Sequence, residues 1–128
     1  MGMFANTTAF SGFAVDDLQK AREFYGETLG LEVSDAPPGL IVTLAGGRDT
    51  LIYEKPDFAP ATYTILNFEV ADIDATVAEL NSRGIEMERY DGFDQDEKGI
   101  ARMAEFPPGA WFTDPAGNIL CVHEPMPA

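Results

Sequence analysis

Residues 13–33 read FAVDDLQKAREFYGETLGLEV, and residues 68–88 read FEVADIDATVAELNSRGIEME. Each stretch opens with Phe-x-Val, and an aspartate, Asp17 or Asp72, follows two residues after the valine. The features then come in the same order: an apolar strand, a capping aspartate, an amphipathic helix, and a glycine that ends the helix before the next strand. Self-similarity of this kind indicates one supersecondary unit that is used twice.

Both predicted helices have recognisable ends. The side chains of Asp17 and Asp72 are suited to accept hydrogen bonds from backbone N–H groups at a helix start. Gly30 and Gly84 follow the last turn, where the backbone often takes the left-handed conformation. Turns rich in proline and glycine separate the strand candidates after each helix. These candidates are 31–34, 40–45 and 50–55 in the first half, and 85–90, 100–106, 111–113 and 119–124 in the second.

This order of elements predicts an α+β fold. We expect a single domain over residues 1–128, built from a first βαβββ module at 8–56 and a second at 62–126. The closing strands of the two halves, LIYEKP and LCVHEP, also resemble each other. Aligning their prolines predicts that Ile52 corresponds to Cys121, and that Glu54 corresponds to His123.

Composition limits the possible partners. The chain has 128 residues, with 22 acidic side chains against 8 lysines and arginines, and a net charge of -14. This balance argues against nucleic acid and anionic membrane surfaces, because both are bound by clustered cations. Cys121 is the only cysteine, which excludes an intrachain disulfide. No apolar run approaches the roughly 20 residues that span a bilayer, and the first residues lack a secretion-signal pattern. We therefore expect a cytoplasmic protein.

An acidic segment, DGFDQDEKG at 91–99, interrupts the second half. Its spacing lacks the glycine and terminal glutamate of a calcium loop. Two alternatives remain for it: a solvated surface loop, or a mobile lid or cation site. The composition favours the solvated loop.

Three motifs together resemble the vicinal oxygen chelate superfamily, which includes glyoxalase I, bleomycin-resistance proteins and extradiol dioxygenases. They are FAVDDLQKAREFYGETLG, FEVADIDATVAELNSRG and FTDPAGNILCV, and the resemblance spans roughly residues 8–125. It implies paired βαβββ modules whose curled sheets form an open cleft. Many members are homodimers, so a homodimer is expected here, but the fold does not determine the chemistry.

The resemblance also implies where a metal would be held. In metal-dependent members the ligands come from the first and last strands of each module, and these positions carry Phe10, Ile52, Ile65 and Cys121 here. Phenylalanine and isoleucine have no lone pair to donate, whereas a catalytic metal normally needs three His or carboxylate ligands. We therefore expect no metal and no cofactor. A shift of two residues would instead place Gly12, Glu54, Asn67 and His123 at these positions, which leaves a partial ligand set open as an alternative.

The same strand faces predict an apolar cleft for a small organic ligand. Glu54 and His123 are the candidate acid and base if there is catalysis, although a surface histidine is also consistent with the sequence. Cys121 could be a small buried hydrophobe, Trp111 could stack on a ligand or pack in the core, and Arg102 could hold an anion or form a surface ion pair. The predicted ligand-binding residues are Phe10, Ile52, Glu54, Ile65, Asn67, Arg102, Trp111, Cys121 and His123.

The sequence thus predicts a metal-independent protein that sequesters a small molecule, as the bleomycin-resistance branch does. One alternative is a lyase, isomerase or dioxygenase of the same superfamily, with a shifted metal site or a Glu54/His123 acid–base pair. Another is a non-catalytic interaction module whose cleft is filled by apolar side chains.

Overall fold

A computed structural model describes residues 3–46 and 48–125 of the chain. The chain divides between Ala59 and Pro60 into two compact units. Each unit contains one sheet and one main helix, which gives the mixed α+β architecture that the sequence predicts. Neither α-helix in the described part of the chain is long and apolar enough to cross a membrane.

The first unit is a four-stranded sheet with a helix on one face. The elements are β1 (Ser11–Val15), α1 (Leu18–Arg22), the π-helical segment (Glu23–Thr28), β2 (Glu32–Ala36), β3 (Gly39–Leu44) and β4 (Arg48–Glu54). The helix begins as α-helix and continues with the wider hydrogen-bonding of a π-helix. The strands lie in the order β1-β4-β3-β2, with β1 parallel to β4 and the other neighbours antiparallel.

The core of the first unit lies between this sheet and the helix. Phe13 and Val15 alternate with less buried residues along β1, as period-two side-chain geometry requires. The Phe13 ring lies 5.7 Å from the ring of Tyr25, which is completely buried on the π-helical segment. Ile52 pairs with Phe13 across the parallel strands, and it is also fully buried. Ile52 therefore faces the helix.

The second unit contains a three-stranded sheet and one helix. The elements are β5 (Thr64–Glu69), α2 (Ile73–Ser82), β6 (Gly109–Thr113) and β7 (Ile119–His123). The strands lie in the order β5-β7-β6, with β5 parallel and β6 antiparallel to β7. Asp72 caps α2 by accepting a hydrogen bond from the Ala75 N–H at 3.1 Å, and Gly84 follows the helix with a φ of 84°.

Two predicted strands of the second unit do not form. Residues 85–90 make no regular ladder, and 100–106 contributes only isolated bridges through Ala101. The side-chain amide of Gln95 explains why 85–90 forms no strand. It accepts a hydrogen bond from the Tyr90 N–H at 2.8 Å and donates one to the Glu88 carbonyl at 2.9 Å. A side chain thus takes the backbone hydrogen bonds that a neighbouring strand would use.

The strand register corrects the predicted match between the closing strands. Phe13 pairs with Ile52 in the first unit, whereas its counterpart Phe68 pairs with Val122 in the second. Ile52 therefore corresponds to Val122, not to Cys121. The prolines used for the sequence alignment lie beyond the strand ends, whereas the register is set by which face is buried.

The hydrogen bonds at the two helix starts support the same one-residue correction to the alignment of the closing strands. The Leu18 N–H donates to Glu54 Oε2 at 3.4 Å, and the Ile73 N–H donates to Glu124 Oε2 at 3.0 Å. Leu18 and Ile73 are the first residues of α1 and α2. Glu54 therefore corresponds to Glu124, and the predicted equivalence of Glu54 and His123 is wrong by one residue.

Candidate functional site

The two faces of the second sheet differ in character. Leu66, Leu120 and Phe112 form one row across β5, β7 and β6, and all three are buried. The helix α2 packs on β6 and β7 through its own apolar stripe, so this row faces α2. The residue next to each of these on its strand points the other way. The distal face is the opposite surface of this sheet, turned away from α2.

Three predicted site residues form one row on the distal face. Cys121 on β7 pairs with Asn67 on β5 and with Trp111 on β6. Side chains directly opposite on neighbouring strands lie within contact range, with Cβ atoms about 4.5–5.5 Å apart. His123 lies two residues along β7, on the same face, and pairs with Glu69 and Gly109. The fold therefore brings Asn67, Trp111, Cys121 and His123 together.

An aromatic cluster of Tyr90, Phe93 and Trp111 extends this row. The Phe93 ring stacks on Trp111, with centroids 5.0 Å apart and planes 22° apart. Tyr90 lies edge-on to both rings, at 5.8 Å from Trp111 and 6.0 Å from Phe93. The sequence analysis missed Tyr90 and Phe93, although two aromatic residues that flank Asp91 and Gly92 in an acidic loop were a visible signal.

The acidic loop that carries Phe93 is held by several hydrogen bonds to backbone groups. The Gln95 amide reaches three backbone groups: the two already described and the Gly99 carbonyl at 2.8 Å. Asp96 Oδ1 accepts from the N–H groups of Lys98 at 2.9 Å and Ile100 at 3.0 Å. These bonds fold the loop into a compact turn and hold Phe93 against Trp111.

The tyrosine of the cluster has an unusual hydroxyl. Tyr90 Oη is buried and has no hydrogen-bond partner among the described residues. Burial raises the pKa of this phenol above its ordinary value, and Glu88 and Cys121 add to the rise. The hydroxyl is therefore protonated at neutral pH and able to donate.

Cys121 behaves as a small apolar residue. Its side chain is buried, and burial raises the pKa of the thiol to about 11, against a small opposing effect of a hydrogen bond with the Ala110 backbone. The thiol lies 3.6 Å from the Val122 carbonyl, to which it can donate. A thiol with this pKa stays neutral at physiological pH and is neither a ready nucleophile nor a ready metal ligand.

His123 has one ring nitrogen occupied. Nδ1 lies 2.7 Å from the carbonyl oxygen of Glu124, which can only accept. Nδ1 therefore carries a proton, and Nε2 is the nitrogen that can accept a hydrogen bond when the ring is neutral. The ring is half-buried.

Several other predicted site residues have different surroundings. Ile52 is buried beneath α1, and Glu54 bonds to the start of α1, so neither lies on the first unit's sheet face that is turned away from the helix. Phe10 precedes β1 and is 65% exposed. Ile65 is half-buried at an irregularity of the β5–β7 register between Thr64 and Leu66.

Arg102 lies in a surface ion-pair cluster. Its guanidinium donates to both carboxylate oxygens of Asp74, at 2.9 and 3.1 Å, and to Asp96 at 3.3 Å. Hydrogen bonds from Arg102 and then Lys98 lower the pKa of the Asp74 carboxyl, and Asp74 and Asp96 raise the pKa of Arg102. Of the two alternatives for Arg102, the structure therefore contains the surface ion pair.

The donor chemistry does not fit a bound metal. Of the four implied positions, three carry apolar side chains, and the fourth is the neutral thiol of Cys121. In the shifted set, Glu54 is engaged at the start of α1. Within residues 3–46 and 48–125, no three His, Cys, Asp or Glu side chains are grouped so that they could hold an ion.

The fold and the candidate site together define a class of protein: an α+β scaffold of two sheets with aromatic and polar side chains on one face of the second sheet. A family model described as the Glyoxalase/Bleomycin resistance protein/Dioxygenase superfamily matches residues 6–122. The chain belongs to this superfamily. A comparison with curated proteins finds no significant match.

Solved structures show the same fold. A glyoxalase family protein from Enterococcus faecalis is 27% identical, with a TM-score of 0.65, over 95% of this chain and 100% of that one. The antibiotic binding protein TnmS3 from a Streptomyces species is 25% identical, with a TM-score of 0.66, over 94% of this chain and 98% of that one. The fosfomycin resistance protein FosX from Listeria monocytogenes is 16% identical, with a TM-score of 0.72, over 94% of this chain and 92% of that one, a likeness of fold alone.

Proposed function

We propose that this protein binds a small organic molecule on the distal face of the second sheet and sequesters it without a metal and without changing it. The observation that carries this proposal is the row formed by Asn67, Cys121 and Trp111. The row combines an amide, a neutral thiol and an indole, and the aromatic cluster extends it. Apolar burial with a few polar groups is the usual composition of a site for small organic ligands.

Sequestration suits these side chains better than catalysis. The row has no charged group and no activated nucleophile, because the pKa of the Cys121 thiol is about 11. Asn67 can donate and accept hydrogen bonds and so orient a ligand without transferring a proton. The likeness to a Streptomyces antibiotic binding protein over almost the whole chain supports the same function.

Charge biases the choice of ligand. The net charge of -14 creates a negative field that raises the local concentration of cations and slows the approach of anions. We therefore expect a neutral or cationic ligand to bind faster than an anionic ligand of the same shape, most clearly at low salt.

His123 supports a second candidate function. Its Nε2 can act as a general base on the distal face, because Nδ1 carries the proton bonded to Glu124. An isomerase or lyase with His123 as the base is the enzymatic alternative; Glu54, the predicted second member of the pair, is instead engaged at the start of α1. Conversion of a bound ligand that is lost in His123→Gln, with binding retained, would favour this alternative.

A homodimer in the cytoplasm is also part of the proposal. The dimer is expected because many members of the superfamily are homodimers. The cytoplasm is expected because a single cysteine forms no intrachain disulfide and so needs no oxidising compartment. Light scattering at micromolar concentration tests the dimer directly, since a mass of 13.9 kDa would indicate a monomer.

Tryptophan fluorescence tests the proposed binding site. Trp111 is the only tryptophan, so all indole emission comes from the distal face. A panel of small aromatic compounds of different charge is titrated against the protein, and binding is confirmed by calorimetry. Binding by calorimetry that is retained in Phe106→Ala, an exposed aromatic outside the cluster, but lost in Trp111→Ala supports the site. Equal affinity in both variants would contradict it.

A further inference from the structure

The buried hydroxyl of Tyr90 is a polar group with no hydrogen-bond partner in residues 3–46 and 48–125. A hydroxyl shielded from water normally finds a hydrogen-bond partner, and leaving it without one is costly. Tyr90 Oη has none among the described residues, yet its ring is held firmly. The Gln95 side chain fixes the Tyr90 backbone, and the rings of Trp111 and Phe93 pack against the phenol.

Phe93 occupies one face of the Trp111 indole. The two rings are nearly parallel, which is the offset-stacked arrangement that a flat ligand would also adopt. Phe93 is nonetheless 43% exposed, so it covers Trp111 without being buried itself. A flat ring that replaced Phe93 on Trp111 would take the same position beside Tyr90.

We propose that Tyr90 is the hydrogen-bond donor for the ligand, and that the ligand is a flat aromatic ring system with a carbonyl-type acceptor at its edge. The ring stacks on Trp111 in place of Phe93, and the acceptor takes the hydrogen bond of Tyr90 Oη. This inference rests on the proposed function, because it names the ligand class of the same face and adds Tyr90 and Phe93 to the site.

The protonation state supports a donor role. The raised pKa of Tyr90 keeps the phenol neutral across the physiological range, so it offers a proton and not a negative charge. The neighbouring Cys121 thiol is neutral as well, and the negative charge of Glu88 acts on the Tyr90 phenol and would repel an anion there. A neutral acceptor is therefore favoured over a carboxylate.

The test uses two probes of matched shape. Fluorenone and fluorene are flat tricyclic rings that differ in one carbonyl group. Both are titrated by Trp111 fluorescence, with calorimetry as a check, against the wild type and Tyr90→Phe. Tyr63→Phe is the matched control, because Tyr63 is a tyrosine of the same unit that is 69% exposed and lies outside the cluster.

We expect the wild type and Tyr63→Phe to bind fluorenone about three- to tenfold more tightly than fluorene, as one net hydrogen bond allows. Tyr90→Phe should bind both probes equally, with the fluorene affinity unchanged. A preference for fluorenone that survives in Tyr90→Phe, or a wild type with no preference, would overturn the inference but leave the proposed function intact. If neither probe binds at Trp111, the result counts against both the inference and the proposed function.

Denaturation of the same variants separates binding from folding. Tyr90→Phe removes a buried hydroxyl without a partner and keeps the ring, so its free energy of unfolding should equal or exceed that of the wild type. A clear loss of stability would mean that the hydroxyl already has a partner within the folded protein, and it would overturn the inference.

Discussion

Glu54 and Glu124 have the same task in the two units: each carboxylate accepts a hydrogen bond from the first N–H of its unit's helix. An acidic group at a helix start satisfies a free backbone donor and interacts favourably with the helix dipole. The repeat that is visible in the sequence thus extends to a specific contact between the last strand and the helix. This contact has a structural role and is not part of the distal face.

The Glu124 contact should stabilise the fold. Its bond to Ile73 is 3.0 Å long and half-buried, so Glu124→Ala should lower the free energy of unfolding by about 1 kcal/mol, the usual effect of losing a helix cap. Glu54→Ala should lower the free energy of unfolding by a smaller amount, because the hydrogen bond of Glu54 to Leu18 is exposed and 3.4 Å long. Urea denaturation measures both, with the exposed Glu97→Ala as the control. A larger loss for Glu54→Ala would contradict the assigned equivalence.

Cys121 should be unreactive in the folded protein. With a thiol pKa of about 11, the thiolate fraction at pH 8 is about 100-fold lower than for a thiol near 9, its ordinary value. Alkylation by iodoacetamide at pH 8 should therefore be at least about 100-fold slower in the folded protein than in urea. Equal rates in both states would show that the side chain is not buried as described.

The same thiol makes stability depend on pH. Its pKa is raised in the folded state, so the proton is held more tightly in the folded than in the unfolded chain. The resulting stabilisation is complete below about pH 9 and is lost as the pH rises to about 11. Cys121→Ala should show a smaller fall in the free energy of unfolding over this interval. Identical pH profiles would contradict the assigned pKa.

Gln95 should hold the aromatic cluster together. Gln95→Ala removes three hydrogen bonds to the backbone and should lower the free energy of unfolding by about 2 kcal/mol. Release of the loop should also expose Trp111 and shift its emission to the red. Gln19→Ala is the matched control, since Gln19 bonds only to exposed Glu23. An unchanged spectrum in Gln95→Ala would mean that the loop does not position Phe93.

Phe93 should compete with the ligand. Phe93→Ala removes a stacked ring that contributes about 0.5–1.5 kcal/mol, so flat ligands should bind Trp111 about two- to tenfold more tightly. Fluorenone titration measures this, with Phe106→Ala as the control. Weaker binding in Phe93→Ala would mean that Phe93 forms a wall of the site and does not occupy the place of the ligand.

The repeated signature carried most of the fold prediction. Asp17 and Asp72 cap their helices and Gly84 takes a positive φ, because these features depend on neighbouring residues and are therefore visible in sequence. The strand predicted at 85–90 did not form because the side-chain amide of Gln95, in the loop that follows, takes the place of the ladder bonds. A side chain that makes the hydrogen bonds of a neighbouring strand leaves no periodic pattern in the sequence.

The sequence predicted the shared face of four candidate residues but not the whole cluster around them. The sequence indicated Asn67, Trp111, Cys121 and His123 through the alternation of strand faces, and the structure places them on one face. An error of one residue in alignment put Ile52 on the wrong face, because a shift by one reverses every side chain of a strand. Tyr90 and Phe93 reach Trp111 from an irregular loop, where no rule of spacing applies.

Ligand binding after removal of metal tests the central claim most directly. Protein dialysed against EDTA is titrated with fluorenone, and the emission of Trp111 is compared with that of protein given Mn²⁺, Zn²⁺ or Ni²⁺. The account predicts saturable quenching with one affinity in all samples, and no binding by calorimetry in Trp111→Ala, which has no indole left to report. Binding that appears only when a divalent ion is added would contradict a metal-free site on the distal face.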